Sequence, residues 1–80
     1  MKFGRLTQIE ELLPEFEVWG AATGHYSFVI TKERDEYRCS WKNRVLSMPK
    51  THYMKEVFRS KEAAERACST QLARLLGYLA

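Results

Sequence analysis

Apolar and polar positions along this 80-residue chain change period several times, and the changes mark its elements. From Ser60 to Leu76 the period is helical. Ala64, Cys68, Leu72, Leu75 and Leu79 fall on one stripe with Ala67 and Leu76 at its edges, while Glu62, Glu65, Arg66, Ser69 and Thr70 lie largely opposite. Ser60 suits the N-cap, Glu62 and Arg74 complement the helix dipole, Glu62 and Arg66 form a favourable i,i+4 pair, and Gly77 suits a left-handed end. A stripe of this width needs a cover, and the preceding segments read as the sheet that supplies it.

Tyr37, Cys39 and Trp41 alternate with Arg38, Ser40, Lys42 and Arg44, the clearest period of two in the chain. Before them, His25 to Thr31 alternates Tyr26, Phe28 and Ile30 with Ser27, Val29 and Thr31, and Glu33-Arg34-Asp35-Glu36 is polar enough for the hairpin turn. Glu15 to Trp19 alternates Glu with Phe and Val, and Gly20 and Gly24 then predict a bend or bulge around Ala21-Ala22-Thr23. Thr7-Gln8-Ile9-Glu10 has the form of a capping box, which predicts a short helix ended by Pro14 with Ile9, Leu12 and Leu13 facing inward. Val45 to Thr51 reads as a loop. His52 to Phe58 fits a strand or a helix, and the strand is preferred because Arg59-Ser60 then makes a short connection to the last helix.

The expectation is therefore one α+β domain over residues 1–80. It has a short N-terminal helix, an antiparallel sheet of three or four strands, and a C-terminal amphipathic helix packed on one sheet face. A core this small gives modest stability, and homodimerisation is one way to add to it.

Charge adds an asymmetry. Met1 to Glu17 carries Lys2 and Arg5 against Glu10, Glu11, Glu15 and Glu17, whereas Tyr37 to Lys61 carries seven cations against Glu56 alone. The middle of the chain thus suits an anionic partner, and the N-terminal glutamates read as a solvated surface. Arg38, Ser40, Lys42 and Arg44 project from one side of a strand, and Lys55 and Arg59 extend the patch if the next strand pairs alongside. Cations so spaced track phosphates. With Tyr37 and Trp41 inward, contact through the nucleic-acid backbone or a groove is expected rather than base stacking.

Candidate chemistry is otherwise sparse. His25 and His52 have no partners at triad or metal spacing, and Cys39 and Cys68 sit on apolar faces without a CxxC or Cys/His cluster. A disulfide between them is compatible with the layout but not implied. With no glycine-rich phosphate loop, HExxH or GxSxG, neither an enzyme nor a cofactor is expected. The absence of a signal-type or membrane-spanning apolar run makes a cytoplasmic protein the default.

The run FRSKEAAERA, Phe58 to Ala67, following several strands, resembles the end of small strand–strand–strand–helix domains. Among these are the amino-terminal arm-binding domains of phage-type integrases and the plant AP2-type domains. That resemblance implies DNA binding through the sheet face. Ser60 to Leu76 is also similar to the last helix of double-stranded-RNA-binding domains. Lys61 fits the phosphate-holding start of that helix, whereas Glu62 and Glu65 stand where cations are expected. Two functions follow as expectations: a nucleic-acid-binding module acting on DNA or RNA, or a protein-binding module. The latter would be a phage- or mobile-element-encoded inhibitor or adaptor acting on a nucleic-acid-handling host protein, with a strand edge or Trp19 as its contact.

Overall fold

A computed structural model describes residues 1–77. It is α+β, an antiparallel sheet in the order β1-β2-β3-β4-β5 with a helix on one face. The elements are β1 (Gly4–Arg5), α1 (Thr7–Leu12), β2 (Phe16–Thr23), β3 (Tyr26–Glu33), β4 (Glu36–Asn43), β5 (His52–Tyr53) and α2 (Lys61–Leu75). The strand expected over His52 to Phe58 is present but only two residues long, and a two-residue β1 adds a fifth strand at the other margin. No described helix is long and apolar enough to cross a membrane.

The central meander follows from alternation. β3 pairs with β2 and β4 along its full length, so Trp19, Ile30 and Cys39 align on one face, as do Ala21, Phe28 and Trp41 one step along. α2 covers this face. Phe28, Ile30, Cys39, Ala64 and Cys68 are fully buried at the contact, with Leu72 and Leu75 packed around them. Ser60 caps α2 as expected, its hydroxyl accepting from the Ala63 N–H at 3.1 Å, and Gly77 ends it at φ +82°. The i,i+4 ion pair on α2 is Lys61–Glu65 at 3.0 Å rather than Glu62–Arg66. Leu79, expected on the stripe, lies outside the described residues.

Four other expectations change. Gly20 is not a bend but an interior position of β2; a Cβ there would sit 2.9 Å from Leu6 Cδ1, so the glycine admits Leu6 onto the sheet. The chain reverses instead at Gly24-His25. α1 has no capping box, because Leu6 occupies the cap position and the Glu10 side chain turns to Arg5 and β2. Held by that carboxylate and by the Leu6 N–H to Val18 carbonyl bond at 2.8 Å, this six-residue helix leaves Ile9, Leu12 and Leu13 in solvent, Leu12 at 81% exposure. Trp19 is buried under the helix side, with Arg5 and Lys61 over its ring at 5.3 and 5.5 Å, and is no surface contact.

The return strand is short. Trp41 and Ser40 pair with His52 and Tyr53, whereas Tyr37 pairs with Phe58. Between these pairs β4 has two residues and the returning chain four, Met54 to Val57, so the ladder bulges there.

Candidate nucleic-acid interface

With α2 on one face, the other face of the sheet is open over β3, β4 and β5. The register sets its residues in rows: Ala22, Ser27 and Lys42; Gly20, Val29, Ser40 and Tyr53; Val18, Thr31 and Arg38. Val18 is buried even so, because Leu6 and α1 lie over the β2 side. The cations are therefore carried on the β4 side alone.

Arg38, Ser40 and Lys42 occupy alternate positions of β4, so the two cations stand about 14 Å apart along it with a hydroxyl midway. Arg38 is exposed and only loosely paired with Glu36, at 3.9 Å. Surface pairs of that kind contribute little and exchange readily for another anion. Among the described residues Lys42 makes no ion pair. Arg44 lies just past the end of β4, tied by its N–H to the His25 carbonyl at 2.6 Å, and is exposed near Lys42.

Lys55 and Arg59 do not join this row. Lys55 falls inside the bulge and Arg59 one residue beyond the Tyr37–Phe58 bridge. Both are exposed, but no ladder fixes them beside Arg38 and Lys42. The patch read from sequence thus divides: Arg38, Ser40 and Lys42 share one face of β4 with Arg44 just past its end, whereas no pairing sets Lys55 and Arg59 in that row.

A hollow of about 260 Å³ lies on the same face, walled by Ser27, Val29, Thr31, Ser40, Lys42 and Tyr53. Tyr53 is 79% exposed and sits opposite Ser40, between the rows of Arg38 and Lys42. It was not singled out from sequence, although the alternation that turns Lys55 outward turns Tyr53 outward too. Ser27 and Thr31 add hydroxyls from β3. Such a surface offers phosphates cations and O–H donors and offers a base one ring face.

Elsewhere, two clusters are structural. Glu10 is no solvated carboxylate: it accepts from Arg5 at 2.7 and 2.5 Å and from the Val18 N–H at 3.1 Å, which hold its pKa at about 2. Cys39 and Cys68 are free thiols inside the core, where Cys39 donates to the Ala64 carbonyl at 3.6 Å. The hydrogen bond to Cys39, together with burial, pushes the Cys68 thiol well above its ordinary value. His52 stacks on Trp41 at 4.2 Å on the helix side of the sheet. Among the described residues no group of His, Cys, Asp or Glu converges as a metal site.

No protein family, curated protein or solved structure matches the chain.

Proposed function

We infer that the chain is a nucleic-acid-binding module that lays the open face of its sheet along a phosphate backbone. The observation that carries this reading is the row Arg38–Ser40–Lys42 on the solvent side of β4, extended by Arg44. Arg38, Lys42 and Arg44 take phosphates, Ser27, Thr31 and Ser40 donate hydrogen bonds, and Tyr53 packs against a sugar or an exposed base edge. α2 lies on the opposite face and makes no contact. Glu62 in its first turn adds no cation for a backbone there, and Lys61 is already paired with Glu65.

The test is binding of labelled random-sequence duplex DNA and duplex RNA at low ionic strength. The wild-type chain binds at least one of them. Arg38→Glu with Lys42→Glu abolishes binding, and Lys55→Glu with Arg59→Glu leaves most of it. Failure of the wild type to bind either duplex, or equal losses from the two double variants, refutes the reading.

A further inference from the structure

The chain exposes more surface than its size calls for. A folded monomer of 9.4 kDa is expected to expose about 5,000 Å², and this one exposes 5870 Å².

Two clusters concentrate the exposed apolar groups. Ile9, Leu12 and Leu13 stand on α1 and its end, flanked by the exposed acids Glu11 and Glu15. Val45, Leu46 and Met48 stand on the β4–β5 loop, flanked by the exposed cations Arg44 and Lys50, with Met48 at 87% exposure. Each cluster is apolar at its centre and charged at its rim, and the rims have opposite sign. Neither reaches the other within one chain. α1 adjoins the start of β2, and the loop follows the end of β4. Both strands run antiparallel to β3 and flank it, so the clusters lie at diagonal corners of the sheet.

We propose that these clusters are the two halves of a homodimer interface, α1 of each copy docking on the β4–β5 loop of the other. A two-fold axis makes both contacts at once only if the copies meet face to face, because the corners must exchange across the axis. α2 occupies one face, so the copies meet through the open one, with the hollow beside Tyr53 enclosed between them. Apolar centres supply the area, and opposed rims set the register and reject α1-on-α1 or loop-on-loop pairing. This goes beyond the nucleic-acid reading and does not rest on it; it adds that pairing and nucleic acid compete for one face.

Sedimentation equilibrium on the nuclease-treated full chain tests it with no nucleic acid present. The mass rises with concentration to a plateau at twice that of the chain. Leu12→Glu and Met48→Glu each weaken association by at least about tenfold while leaving the circular dichroism unchanged, since both side chains are exposed. Variants carrying Glu11→Lys with Glu15→Lys, or Arg44→Glu with Lys50→Glu, sediment as monomers when alone. Mixed, they return to the dimer mass, because each α1 then meets a loop of opposite sign. A wild type that stays monomeric across the micromolar range, a mass that climbs without a plateau, or a mixture that remains monomeric overturns the proposal.

Discussion

Salt dependence separates a three-cation face from the five-cation patch that the sequence suggested. Each phosphate neutralised on duplex DNA contributes about −0.9 to the slope of log K against log salt. Arg38 and Lys42 share the open face of β4 and Arg44 follows them, whereas Lys55 and Arg59 lie outside the paired ladder. Three contacts give a slope of about −2.7, and affinity then falls roughly 40-fold between about 50 and 200 mM salt. Five contacts would give about −4.5 and roughly a 500-fold loss over the same range. Lys42→Ala lowers the steepness to about −1.8, so the loss shrinks to about 12-fold, and Lys55→Ala leaves the slope as it was. Fluorescence anisotropy of a labelled duplex, titrated at several salt concentrations, reads these slopes directly. A wild-type slope near −4.5, or the same change from Lys55→Ala as from Lys42→Ala, would refute the placement of the cations.

Three further outcomes concern the scaffold. Phe28→Ala empties a fully buried site and costs about 3–5 kcal/mol in urea unfolding, a large part of the roughly 4–12 kcal/mol expected for a domain of this size. A loss under about 1 kcal/mol would show that Phe28 is not central to the core. Ser60→Ala removes the cap of α2 and lowers stability by about 1 kcal/mol, whereas Ser69→Ala on the exposed side of α2 changes it little. Glu10 has a folded pKa of about 2 against an ordinary 4.5, so its contribution is fully present above the ordinary value. It is lost as pH falls from there toward 2, because the unfolded chain takes up the proton first. Glu10→Gln therefore flattens the decline of melting temperature over that window, and an unchanged acid limb would contradict the bonded geometry.

What could be read in the residues followed the strength of one-sided burial. The β3–β4 hairpin and α2 were legible because a single face of each is covered, so Phe28, Ile30 and Cys39 on one side and Ala64 and Cys68 on the other keep strict periods. Turn chemistry placed the reversal at Glu33–Glu36, where Arg34 adopts φ 59°. α1 misled because its apolar residues imply a buried stripe, whereas a six-residue helix at the sheet margin is fixed by polar bonds to β2 instead. Gly20 misled because its signal is ambiguous: a glycine within a strand marks either a bulge or the close approach of another group, and here Leu6 approaches. Of the candidate site, the period of β4 placed Arg38, Ser40 and Lys42 on one side. The positions of Lys55 and Arg59 depended on a two-residue bulge with no local sequence mark.

The bond from Val18 to Glu10 has a bearing on how the sheet ends. β2 is a marginal strand over most of its length, and its outward amides are templates on which another molecule's strand can grow. β1 takes Gly20, the Leu13 carbonyl takes the Phe16 N–H, and the Glu10 carboxylate takes the Val18 N–H. A side chain thus stands where a neighbouring polypeptide would otherwise zip on. Loss of that one carboxylate leaves the Val18 N–H without its partner at the margin.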